Sequence, residues 1–243
     1  MDSGEPDIEQ LFAPIAPTAA YGVILREAHD VLAHVHAPVD AELWGSDIIG
    51  ALARTTGGQP EAMSALAASL VPAAEEAATP EGLALLRIFA VLGTPELRQK
   101  ATHAAERTVA TGIPDPTWAR DLGTPAVGDC WHYSDISGQQ ESLTATFDYG
   151  ARSHALSVLI DHNKGGGIRD VWVDDAEGLL DKTWMAAESD PLVVFEKMEA
   201  RALGTRLQQA IAAGECPAKP DEADDVTAHR ALLHARANLL AGI

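Results

Sequence analysis

The sequence predicts an α+β protein: an N-terminal helical bundle followed by a four-stranded antiparallel β-meander, with C-terminal helices packed on it. Three observations carry this. Apolar residues recur at helical spacing up to about residue 122, hydrophobicity then alternates with period two in four runs over residues 129–174, and the helical period returns after residue 189. Turn formers at Ile113-Pro114-Asp115-Pro116-Thr117 and Leu122-Gly123-Thr124-Pro125 interrupt the pattern. They divide the chain into a helical domain, 1–122, and a meander with its helices, 123–243.

The first stripe is Tyr21, Ile24, Ala28, Val31 and Val35, with Arg26, Asp30 and His34 on the polar side, which leaves His34 in solvent. Three later helices begin alike, at Gln59-Pro60-Glu61, Thr79-Pro80-Glu81 and Thr94-Pro95-Glu96. Proline tolerates the first helical position because its missing N–H would be unpaired there, threonine caps, and glutamate favours the positive end of the helix dipole. The starts at 60, 80 and 95 are unevenly spaced, which favours a bundle over a solenoid of repeats. Gly93 should end one helix just before Thr94 caps the next, and the segment from Leu83 to Leu92, apolar nearly all round, should be the central helix.

In the meander, the third and fourth strands should be residues 154–162 and 168–174, joined by Asn163-Lys164-Gly165-Gly166-Gly167. A hairpin closed by this loop places His162 opposite Ile168, Asp161 opposite Arg169 and Ile160 opposite Asp170. His162, Asp170 and Trp172 then share the apolar face of Leu156, Val158 and Ile160, while Asp161 and Arg169 pair on the other. Counting back across the preceding turn sets Tyr149 opposite His154 and Leu143 opposite Ile160, with Glu141 beside His162. The first strand, residues 130–136, has two registers: a three-residue turn puts Trp131 and Tyr133 on the core face, and a two-residue turn puts His132 there. Hydrophobicity favours the former. Ser189-Asp190-Pro191 should open a long helix to about Ala213, and a linker with two prolines, 214–222, should lead to a last helix from about Asp224 to Leu240.

Composition narrows the function classes. With 36 acidic and 17 basic residues the net charge is −19, which repels phosphate backbones and anionic lipid surfaces and disfavours nucleic acid as a partner. Cys130 and Cys216 form no CxxC pair, so a disulfide framework and a zinc knuckle are not indicated. The acidic start Met1-Asp2-Ser3-Gly4-Glu5-Pro6-Asp7 does not resemble a signal peptide, and no apolar run reaches membrane-spanning length. A cytoplasmic location is expected.

One constellation bears on chemistry. His162 with Asp170 and Glu141 could form an acid–base site, and His162 with Asp170 and Asp135 could hold a divalent metal through one nitrogen and carboxylate oxygens, with Asp161 as a further candidate. The plainer reading is a polar rim at the end of a sheet, with no cofactor. The glycines at 165–167 are followed by a β-like run rather than a helix and complete no phosphate-loop motif. GxSxG, HExxH and EF-hand patterns are absent. Cys130 and His132 share a strand face, which the favoured register turns away from the core; His34 with His36 and His229 with His234 do not stack at helical spacing and read as surface residues.

The stretch from Val158 to Val173, VLIDHNKGGGIRDVWV, resembles a segment of uncharacterised conserved proteins of high-GC bacteria. That resemblance implies bacterial origin and no activity. Without a strong catalytic motif, the first expectation is a non-catalytic protein-interaction or regulatory protein, with a protein partner or self-association. The alternative is a hydrolase-type enzyme, metal-assisted or not, using the His/carboxylate group at the end of the meander. Whether the chain is an enzyme is left open by the sequence.

Overall fold

Proline-led starts organise the N-terminal half. In the computed structural model, which describes residues 22, 24, 28, 29, 31, 32, 34–57, 59–150 and 152–243, four helices run Pro38–Thr55 (α1), Pro60–Ala77 (α2), Pro80–Leu92 (α3) and Pro95–Ala110 (α4). Thr79 and Thr94 cap α3 and α4, their hydroxyls accepting from Gly82 N at 3.1 Å and Leu97 N at 3.4 Å. Ahead of α1 the Asp40 carboxylate accepts from the backbone N–H groups of His36 and Ala37, both at 3.0 Å. Of the first stripe, Ile24 and Ala28 are buried and His34 is exposed, whereas Tyr21, Arg26 and Asp30 lie outside the described residues.

The middle of the bundle is α3, as its composition predicts: Leu83, Leu85, Leu86, Ile88 and Phe89 are fully buried, each contributing about 2 kcal/mol of transfer free energy. Gly93 ends α3 at a negative φ of −68°, so it is not a left-handed cap. Its need for glycine is space, since a Cβ there would lie 2.6 Å from the Phe89 carbonyl oxygen and 2.9 Å from Leu97 Cγ.

The sheet is antiparallel with strands Ala126–Asp135 (β1), Gln140–Asp148 (β2), Ser153–Asp161 (β3), Gly167–Asp175 (β4) and Val193–Lys197 (β5), in the order β4-β3-β2-β1-β5. The four-stranded meander is as expected. The fifth strand is not. Instead of one helix from Ser189, the chain forms α5 over Ala176–Ser189, capped by Asp175, then β5, then α6 over Ala200–Ala213. The reason is tertiary: Phe195 stacks on Trp131 at 4.9 Å and meets Trp184 edge-on at 5.5 Å, so β5 gains partners that no local pattern could reveal.

Three register expectations change. Between β3 and β4 a bulge at Leu159/Ile160 sets Ile160 opposite Ile168 but Leu159 opposite Asp170 and Val158 opposite Val171. Val171 thus takes the core-facing place expected for Trp172, which pairs with Ser157 and is 37% exposed. Between β2 and β3 the register slides by two, putting Glu141, not Leu143, opposite Ile160; a two-residue slide preserves the faces. In β1, Ser134 lies opposite Glu141 and His132 opposite Leu143, so Cys130 and His132, not Trp131 and Tyr133, face the core. Trp131 and Tyr133 can lie on the outer face because that face is also covered, by the Trp184 and Phe195 rings.

On the inner face, Leu143, Phe147, Leu156, Val158 and Ile160 pack against Leu203 and Leu207 of α6 and Leu233, Ala237 and Leu240 of α7, which runs Pro220–Ala241. The same α7 sends Ala231 and Leu232 into the core of the bundle. The linker before α7 is not slack: Ile168 N donates to Gly214 O at 2.8 Å and Cys216 N to Ile168 O at 2.7 Å, a parallel bridge along β4. Among the described residues no helix is long and apolar enough to cross a membrane.

Candidate active site

Glu141 is the centre of the site. It sits near the start of β2 on the inner face, where alternation with Leu143, Ala145 and Phe147 carries it into the core, and its side chain is only 5% exposed. A carboxylate so placed needs cationic or hydrogen-bonding company. Three elements provide it. His162 Nε2 lies 3.1 Å from Oε1, His132 Nε2 lies 2.9 Å from Oε2, and Arg206 Nη2 lies 2.5 Å from the same Oε2. Neither the His132 nor the Arg206 contact is an aligned hydrogen bond, so Oε2 is held by its proximity to the Arg206 guanidinium.

Each neighbour arrives for a local reason. His132 follows from the β1 register and is braced on its far side by Glu196 of β5, whose Oε1 is 3.6 Å from Nδ1. His162 opens a single 3-10 turn, His162–Lys164, nucleated by the Asp161 carboxylate accepting from Asn163 N at 3.0 Å. That turn, rather than a continued strand, swings the imidazole toward Glu141. Gly165 and Gly166 then take φ of 84° and 78°, a region that glycine alone enters without strain. A Cβ at Gly166 would lie 3.6 Å from His162 Nδ1, an ordinary contact distance, so the loop backbone passes beside this nitrogen. Arg206 projects from α6, whose Leu203, Leu207 and Ala210 are buried on the sheet. Exposure is graded: His132 is 15% exposed, Arg206 38% and His162 42%.

Of the residues expected at the site, the structure joins Glu141 to His162. It places Asp170 and Asp135 elsewhere. The β3–β4 bulge sets Asp170 opposite Leu159, with its carboxylate accepting from Val171 N at 2.8 Å. Burial raises its pKa, as do Asp225, Glu222 and Asp221, against the lowering by Val171 N–H. Asp135 closes the β1–β2 turn, accepting from Ser137 Oγ at 2.6 Å and Gln139 N at 3.2 Å, and these bonds hold its carboxylate below the usual range. Asp161 caps the 3-10 turn and stays 4.0 Å from Arg169, which is itself held by both oxygens of Glu222. Among the described residues no three His, Cys, Asp or Glu side chains stand where they could hold a metal ion, so the His162/Asp170/Asp135 set is not assembled.

His132 and Arg206 were missed as partners of Glu141. A count of the β1–β2 turn could have found the first. Nothing in the sequence marks Arg206, which is one polar residue on an amphipathic helix.

A second polar cluster lies at the junction of the bundle, sheet and α7. Glu42, Arg236 and His154 are buried, and Tyr149 Oη donates to Glu42 Oε1 at 2.8 Å. Gly123 N also donates to that oxygen, at 2.9 Å. His154 stacks on Phe147 and Tyr149, and its Nε2 faces Arg236 Nη2 at 3.4 Å, so Nε2 acts as the acceptor and Nδ1 carries the proton. Burial, then the Arg236 and Arg152 charges, push the His154 pKa down to about 3. This cluster ties the halves together and presents no exposed group for chemistry.

No known protein family, curated protein or solved structure matches the chain. The expectation of a purely non-catalytic interaction protein is corrected by the site itself: two imidazoles and a guanidinium gathered on one buried carboxylate form a His/carboxylate arrangement of catalytic type.

Proposed function

We propose that this chain is a hydrolase-type enzyme with an acid–base site at His162, Glu141, His132 and Arg206. The observation that carries the reading is the Glu141–His162 contact: a carboxylate 5% exposed, bonded to one nitrogen of an imidazole whose side chain is 42% exposed. Glu141 fixes the ring orientation and favours the imidazolium that forms when His162 takes a proton. His162 Nδ1 accepts that proton from water as the water attacks, then returns it to the leaving group. The Arg206 guanidinium, 38% exposed beside Glu141, supplies positive charge to the developing oxyanion, and His132, braced by Glu196, positions Glu141. The proton path runs through these side chains alone, so the reading requires no metal.

The test is hydrolysis of a panel of 4-nitrophenyl esters and phosphates by the purified protein, before and after chelation. Turnover above buffer that survives chelation and falls at least about 100-fold in His162→Gln supports the reading. No turnover with any member, or turnover untouched by His162→Gln, rejects it.

A further inference from the structure

A separate cavity of about 470 Å³ opens where α1, α2, the α3–α4 joint and α7 converge. Its walls are apolar, with Leu52, Phe89 and Leu92 buried and Ile49, Val91 and Leu97 partly so. This size falls within the roughly 300–1,000 Å³ of small-molecule sites, which pair apolar walls with a few polar groups. Basic groups line the cavity although the protein carries a charge of −19: Arg98, Lys100 and Arg230.

Their partners differ. Lys100 is paired with Glu96 at 2.7 Å, and Arg230 holds both oxygens of Glu215 at 2.5 and 2.6 Å. Arg98, exposed at the mouth, has no acidic partner among the described residues. Glu96 is the only acidic side chain lining the cavity among those residues, and Lys100 neutralises it. An apolar chamber with an uncompensated guanidinium at its entrance suits a ligand with an alkyl body and one anionic end.

We propose that this cavity binds a medium-chain alkyl carboxylate, with the chain between α1, α3 and α7 and the carboxylate on Arg98. The inference stands apart from the hydrolase reading, since none of its residues belongs to the Glu141 site. Isothermal titration of the full chain with decanoate, octanoate and 1-decanol, below their aggregation limits, tests it. Decanoate should bind at one site, several-fold tighter than octanoate, because two more methylenes leave water. Arg98→Ala should weaken decanoate about tenfold and leave 1-decanol unchanged. Ser64→Trp, at an exposed lining position that tolerates a large side chain, should abolish binding by filling the mouth. Absence of saturable decanoate binding, equal affinity in Arg98→Ala, or binding that persists in Ser64→Trp overturns the proposal.

Discussion

Glu42 near the start of α1 and Arg236 near the end of α7 meet with almost no exposure, Arg236 Nη2 on Glu42 Oε2 and Nη1 3.3 Å from Oε1. Removing one member strands a buried charge, which costs about 3–5 kcal/mol, whereas replacing both by apolar groups of similar volume is often neutral. Urea unfolding should therefore show a loss of that order for Glu42→Leu and for Arg236→Met, and for the double variant a loss well below their sum, set by the Gly123 N and Tyr149 Oη donors that lose Glu42 Oε1. Additive losses would show that the two do not act as a pair.

His154 sets an acid limb. Its native pKa of about 3 lies below the ordinary 6.5, so the unfolded chain binds a proton that the fold refuses. Its contribution to stability is complete above pH 6.5 and is lost as pH falls toward 3, by up to about 1.4 kcal/mol per unit. His154→Phe keeps the ring stack with Phe147 and Tyr149. Its stability relative to wild type should improve steadily from pH 7 to pH 4 in thermal melts.

Asp170 works in the opposite sense. Burial, helped by the neighbouring carboxylates, raises its pKa, so the native state holds this proton more tightly than the unfolded chain does. That favourable contribution is full below the ordinary carboxylate value and disappears as pH rises through the native one. Asp170→Asn keeps an acceptor for Val171 N–H and should melt higher than wild type at pH 7, with the advantage shrinking in acid.

At the candidate site, His162→Ala should leave the melting temperature within a few degrees of wild type, because the ring is half-exposed. Glu141→Gln removes the charge that holds Arg206 and both histidines and should cost stability as well as any turnover. Parallel melting and rate measurements separate the two. Equal melting losses would identify His162 as a structural residue.

Cys130 is buried, and burial, with Asp129 and Glu199, pushes its thiol up to about 11. Iodoacetamide at pH 8 should spare it in the native protein and modify it within minutes in urea, as peptide mass analysis would show.

Where the determinants were local, the sequence was readable. Thr79-Pro80-Glu81 and Thr94-Pro95-Glu96 specify their helix starts by bonds within four residues, and the alternation of β2 and β3 fixes which face is buried even when the register slides by two. Legibility failed where one residue's place depends on a distant partner. The bulge at Leu159/Ile160 moved Trp172 outward and removed Asp170 from the histidine, and β5 exists because Phe195 has Trp131 to rest on. Glu141 and His162 were rightly placed side by side, though by a 3-10 turn rather than by strand pairing. His132 and Arg206 required the tertiary structure.

The last helix serves two interiors at once, with Leu232 facing one and Leu233 the other. Neither interior can close while α7 is detached, so the whole chain should melt in one calorimetric peak. A protease cut in the stretch before Pro220 that let α7 drift away would leave both halves without a lid, and a chain truncated after residue 219 should yield no soluble remnant of either.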